Sequence, residues 1–97
     1  MKRRLVLRSV AELDVVEAIE RYEGERAGLG ARFLTQLDAL LERIGQHPRQ
    51  FPEIESGVRR GLVNRFPYGV YFTQGEDEIV VLAVLHLHRH PDTWKDR

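Results

Sequence analysis

Ile79 to Leu85 is a run of seven consecutive apolar residues, most of them aliphatic and β-branched. A run this short is a strand rather than a helix, and a strand with no polar alternation has both faces covered. The chain must therefore build a sheet in which this segment, Glu78–Leu87 at its full extent, is a central strand. The rest of the chain has to supply the coverings and the neighbours.

The neighbours are legible. Tyr68–Thr73 precedes the central strand across the hairpin loop Gln74-Gly75-Glu76-Asp77, and Val58–Asn64 comes before that. Such short links imply antiparallel pairing. Arg3–Leu7 is a further short strand, with Leu5 and Leu7 on one face. Ser9-x-x-Glu12 predicts a capping box that opens a first helix over roughly Val10–Glu25, with Val15, Val16, Ile19 and Tyr22 turned inward. A second helix, Leu29–Gln46, places Phe33, Leu37, Leu40, Leu41 and Ile44 at helical spacing, and Leu34 widens the stripe. His47-Pro48 ends it, because a residue before proline avoids helical dihedrals. Residues 48–57, with Pro48, Pro52 and Gly57, predict a loop. The predicted fold is α+β in the order β-α-α-β-β-β: a two-helix hairpin packed on a mostly antiparallel sheet, in one domain over residues 1–97. The sheet face turned away from the hairpin is expected to remain open and to grip another macromolecule.

Composition narrows the function. At 97 residues the core is small, and a domain of this size buries roughly 60–65% of its unfolded surface. A site on it is expected to be a groove or a face. With no cysteine there is no disulfide and no thiolate chemistry. The basic start Met1-Lys2-Arg3-Arg4 leads into only three apolar residues, too few for a signal-peptide core, and no segment approaches a membrane span. A cytoplasmic protein is expected. Fifteen bases balance fifteen acids, which argues against strong non-specific binding to a phosphate backbone. The distribution is uneven. Residues 12–25 carry six acids and one base, Arg21, whereas residues 57–73 carry Arg59, Arg60 and Arg65 and no acid. Only Lys2 and Lys95 are lysine, and arginine is the better bidentate partner for phosphate and carboxylate.

The chemistry-bearing residues collect at strand ends. Arg59, Arg60 and Arg65 suit an anion grip, and equally suit edge positions paired with helix acids. On a strand Arg60 shares a face with Val58 and Leu62, and Arg59 the opposite face. His86 and His88, two apart on a strand, would point the same way. They suit acid–base chemistry near neutrality, or with His90 a metal, although buried histidines more commonly hydrogen-bond within the sheet. No metal or other cofactor is expected. Tyr71 is opposite in parity to Tyr68 and Phe72 and reaches the other sheet face. Trp94 is either a packing lid or an interface anchor.

Val58-Arg59-Arg60, Arg65-Phe66-Pro67-Tyr68-Gly69-Val70-Tyr71-Phe72, and Ile79 to His86 followed by Arg89-x-Pro91-x-x-Trp94 resemble the second half of the RelE/ParE toxin superfamily. Ala11-Glu12-Leu13-Asp14, Tyr22, Gly30-Ala31-Arg32-Phe33 and His47-Pro48 are similar to its first half. The likeness spans nearly the whole chain and rests on order and spacing. It implies the toxin half of a bacterial type II toxin–antitoxin module. The implied partner is a cognate antitoxin, commonly a small DNA-binding protein with a flexible tail, so that operator DNA is reached only through it. Phe33, Leu34, Leu37 and Leu41 on the second helix are the implied docking candidates for the tail.

The superfamily has two activities. RelE-like members cleave mRNA on the ribosome, which here would call on Arg60, Arg65, His86 and His88 as cations and an acid–base pair. ParE-like members inhibit DNA gyrase by binding it. The neutral charge, the lack of groove lysines and the absence of a C-terminal tyrosine favour the ParE-like branch, with Arg59, Arg60, Arg65, Tyr71, His88, Arg89 and Trp94 as target-binding candidates. The alternatives are the endonuclease and an inactive toxin-fold co-repressor.

Overall fold

The computed structural model describes residues 3–90 and 92–97. The start Met1-Lys2 and Pro91 of the closing motif lie outside the described residues. The chain runs β1 (Arg4–Leu7), α1 (Ser9–Glu25), α2 (Leu29–Gln46), a 3-10 turn (Pro48–Gln50), β2 (Glu53–Glu55), β3 (Val58–Leu62), β4 (Tyr68–Gln74), β5 (Glu78–His86) and a second 3-10 turn (Thr93–Asp96). The sheet order is β1-β5-β4-β3-β2. β1 pairs parallel with β5, because the helical hairpin between them carries the chain back to its starting end, and the other pairs are antiparallel. The apolar run therefore lies inside the sheet, as its composition requires.

One side of the sheet carries the helices. Phe33, Leu37, Leu40 and Ile44 of α2 pack with Ala11 and Ala18 of α1 on Val70, Phe72, Ile79, Val81 and Val84. At about 25 cal/mol per Å² of apolar surface removed from water, burial of this layer stabilises the fold. Tyr22, Phe33, Phe66 and Tyr68 form an aromatic knot at its rim, with Phe33 and Tyr68 centroids 5.0 Å apart and edge-on. Gly30 allows the two helices to approach: a Cβ there would stand 2.8 Å from the Ile19 carbonyl oxygen.

Several expectations need correction. The buried stripe of α1 is Ala11, Val15, Ala18, Ile19 and Tyr22, whereas Val16 is half exposed, as are Val10 and Leu13. The two alanines are the deepest residues of the helix because it lies close to the sheet. The capping box does not form. Arg8 donates its N–H to the Val81 carbonyl as β1 ends, so the helix begins at Ser9 and Ser9 falls inside the first turn. Glu23 of α1 instead caps α2, accepting the N–H groups of Gly28 (2.9 Å) and Gly30 (3.0 Å). The segment expected to be a loop contains β2, a short edge strand held where Arg60 donates its N–H to the Pro52 carbonyl.

A bulge in β5 decides which residues face where. Tyr71 pairs with Ala83 and Phe72 with Val81, so Leu82 is the extra residue. Strict alternation would place 79, 81, 83 and 85 together. Instead Ile79, Val81 and Val84 face the helices, and Leu82, Ala83 and Leu85 join Tyr71 on the far side. That far side is not left open. Trp94, carried by the last 3-10 turn, stacks on Tyr71 with centroids 5.5 Å apart and planes 15° apart. The expectation of an open second face is thus corrected: the chain's own tail covers its middle, because Tyr71 and Leu82 offer an apolar floor that would otherwise be wet.

Candidate functional site

The bulge also sets the chemistry at the end of β5. β1 accompanies β5 only as far as Val81, which leaves the next main-chain groups without a strand partner. Asp14 of α1 accepts the Val84 N–H (2.9 Å), and Arg97 donates to the Leu82 carbonyl (3.3 Å). The two side chains also form a bidentate pair, with Arg97 Nη2 to Asp14 Oδ1 at 3.1 Å, and both are largely buried. This buried pair plugs an open sheet edge. Asp14 reaches it because it lies three residues after Ala11 and four before Ala18, on the side of α1 nearest the sheet.

Past this plug lies a cleft of about 150 Å³ between α1 and the strand end, lined among others by Glu17, Arg21, Tyr68, His86, Arg89 and His90. The bulge turns His86 to the helix side, edge-on to Tyr68 at 5.3 Å. β5 ends there. His86 Nδ1 accepts the N–H of His88 (3.1 Å) and of Arg89 (3.2 Å), which closes the turn after the strand. With Nδ1 occupied as an acceptor, the ring is neutral and its proton sits on Nε2. Burial pushes the imidazole below its ordinary pKa of 6.5, and the nearby His88, Arg21 and His90 push it further the same way. Tyr68 beside it is pushed up, first by burial.

Of the residues singled out in the sequence, His86, Arg89 and His90 meet in this cleft, whereas Arg59, Arg60 and Arg65 do not join them. Arg59 lies on the helix side and donates Nη1 to the Phe51 carbonyl at 2.6 Å, so it ties β3 to the turn before β2. Arg60 lies on the far side. Its stem covers Gly69, where a Cβ would stand 3.2 Å from Arg60 Cδ, and its Nε is buried without a partner among the described residues. Arg65 sits in the turn after β3 with a positive φ of 69° and lines a groove beside α2 with Arg32 and Gln36. His86 faces the cleft under α1. Arg60, Arg65 and His86 thus open on three different surfaces. His88 follows the strand rather than continuing it, so the expected His-x-His strand pair is corrected, although the two rings still meet at 5.7 Å. His88 and Arg89 are exposed.

Four further candidates are corrected by burial. Tyr71 is 1% exposed and Trp94 8%, so they are each other's partners rather than a free contact surface. Phe33 and Leu37 are 0% and 1% exposed and belong to the core. They occupy the centre of the stripe whose edges, Leu34 and Leu41, are exposed and half-buried respectively. Sequence reasoning missed Asp14, Arg97 and the placement of Arg21. The one signal was that Arg21 stands alone among the acids of α1. Among the described residues, no group of three His, Cys, Asp or Glu side chains is placed to hold a metal ion, and no helix is long and apolar enough to cross a membrane.

Comparison with known proteins places this geometry. No curated protein matches the chain. The chain is similar in fold to a chain of the chromosomal ParDE TA system from P. aeruginosa, at 18% identity and a TM-score of 0.78 over 88% of this chain and 96% of that one. The family model of the ParE toxin of the type II toxin–antitoxin system, parDE, matches residues 5–91, from β1 to the turn beyond β5. The chain therefore belongs to the ParE toxin family of type II toxin–antitoxin systems.

Proposed function

We propose that the protein is a toxin that acts by binding a protein target, DNA gyrase, and that a cognate antitoxin neutralises it. Cleaving RNA requires a base, an acid and cations around one phosphate. The observation that carries the binding reading is the scatter of Arg60, Arg65 and His86 over three surfaces, so that no single phosphate meets them all. His86 is further occupied in closing its turn, and its lowered pKa makes it a poor acid at neutral pH. Family membership supports the antitoxin partner.

For the target we favour the part of the far face that the tail leaves uncovered, where Arg60 lies beside exposed Leu62, together with His88 and Arg89 at the strand end. For the antitoxin tail we favour the exposed apolar side chains of the hairpin: Val10, Leu13 and Val16 on α1 and Leu34 on α2. Gyrase supercoiling assayed with the purified protein tests the reading. Supercoiling is expected to stop, and to recover when a cognate antitoxin is added. Codon-dependent cuts in a translation extract, with supercoiling intact, would establish the endonuclease instead. Harmless expression without antitoxin would leave only the co-repressor.

A further inference from the structure

The cleft under α1 holds a set of side chains of which the reading above draws only on Arg89 for binding. Its charged and titratable lining is Asp14, Glu17, Arg21, Tyr68, His86, Arg89, His90 and Arg97. Asp14 and Arg97 neutralise each other. Arg21 and Arg89 make no ion pair with another described residue. His86 is locked as an Nε2–H donor, because its other nitrogen already accepts two main-chain N–H groups. Two guanidinium groups and a fixed imidazole donor therefore line one small cavity, in which Glu17 is the single unpaired carboxylate. A lining rich in donors and poor in free acceptors is complementary to an oxyanion.

We propose that this cleft is a recognition pocket for one carboxylate side chain presented by a partner protein, gripped by Arg21, Arg89 and the His86 Nε2–H. Size and charge select this ligand over a nucleic-acid strand. A volume of about 150 Å³ admits one small group. A chain of phosphates leaving the cleft would run along α1 past Glu17, Glu20 and Glu25, all exposed, and the protein as a whole carries no net positive charge to hold it. A single carboxylate reaches Arg21 and Arg89 at the cleft without running along the acids of α1. Because His86 donates while neutral, the pocket needs no proton uptake to form. That the carboxylate belongs to a protein rests on the toxin–antitoxin reading; the pocket's affinity for an oxyanion does not.

The test is an NMR titration of the intact chain, read on the His86 Nε2–H and the arginine Nε–H signals, with three probes: N-acetylglutamate, inorganic phosphate and an oligothymidylate strand. N-acetylglutamate is expected to give saturable shifts at the three groups and to raise the His86 pKa, since a bound anion favours its charged form. Arg89→Gln and Arg21→Gln should each weaken that binding about tenfold, or about 1.4 kcal/mol, with unchanged melting temperatures. Absence of saturation, or equal affinity in both variants, overturns the pocket. Saturation by phosphate or oligothymidylate without N-acetylglutamate overturns the carboxylate ligand. The measurement needs neither gyrase nor antitoxin, so a negative result leaves the toxin reading standing, and a failed supercoiling assay leaves the pocket standing.

Discussion

Asp14→Ala should be among the most destabilising polar substitutions in this protein. Asp14 does two jobs at once. It accepts the Val84 N–H at 2.9 Å where β5 has lost its strand partner, and it neutralises Arg97, the two side chains being 10% and 15% exposed. Removal leaves an orphaned main-chain N–H, which costs about 1–3 kcal/mol. It also leaves a guanidinium in a site with little water, and breaking a buried ion pair from one side costs about 3–5 kcal/mol. The two losses share one carboxylate and do not add, so about 3–5 kcal/mol is expected in total. A domain of this size is stable by only about 5–15 kcal/mol, and each kcal/mol lowers the melting temperature by about 4–8 °C. Urea unfolding is the assay: the midpoint should fall while the slope, which reports the surface exposed, stays constant. Asp14→Asn keeps an oxygen for the Val84 N–H and should lose about half as much. Arg97→Met on top of Asp14→Ala should recover part of the loss, with a coupling of about 0.5–3 kcal/mol. An Asp14→Ala protein within about 1 kcal/mol of the parent would mean that water satisfies this edge and that the plug described above is not structural.

Three further outcomes follow from the geometry. Gly30→Ala should destabilise by about 1–3 kcal/mol in thermal melts despite the roughly 1 kcal/mol that alanine gains in helix propensity, because its Cβ would press on the Ile19 carbonyl oxygen at 2.8 Å. A variant as stable as the parent would mean that the helices can part freely. Trp94→Ala should cost about 3–5 kcal/mol and expose Tyr71, seen as increased dye binding and loss of the near-ultraviolet signal of the stack; unchanged spectra would refute a docked tail. His86 has a folded-state pKa below its ordinary 6.5, so the unfolded chain binds the proton more readily. Its contribution to stability is therefore complete above about 6.5 and is lost as the pH falls through the folded value. Urea midpoints across that window should fall with acidification, and His86→Asn should flatten the slope; an equal slope in the variant would assign the dependence to other groups.

The legible parts of the fold were those whose signal is local. The seven-residue apolar run demanded a central strand, and the helical spacing of Phe33, Leu37, Leu40 and Ile44 demanded the second helix. Tyr71 declared its opposite facing by parity alone. The resemblance rested partly on Ala11 and Asp14, and the structure supplies the reason for that spacing: Ala11 allows α1 close to the sheet and Asp14 plugs the edge it reaches. The candidate site was less legible. Arg59 and Arg60 were separated correctly onto opposite faces, yet Arg59 is spent on the Phe51 carbonyl. Phe33 and Leu37 lie in the same stripe as Leu34 and Leu41, and residue type alone does not say which of the four is buried.

Sequence alone determined the two helices and every strand but the short edge strand β2, and the number of faces the central strand must bury, because hydrophobic period acts over a few neighbours at a time; the order and spacing of its motifs carried the resemblance to the toxin family. Only the tertiary structure decided that Leu82 is an extra residue, that His86 therefore turns toward α1, that Arg97 returns across the sheet to Asp14, and that Trp94 closes the second face. Those outcomes depend on contacts between residues as far apart as 83 positions, settled by where one strand runs out of partners. Spacing along the chain carries no record of that point.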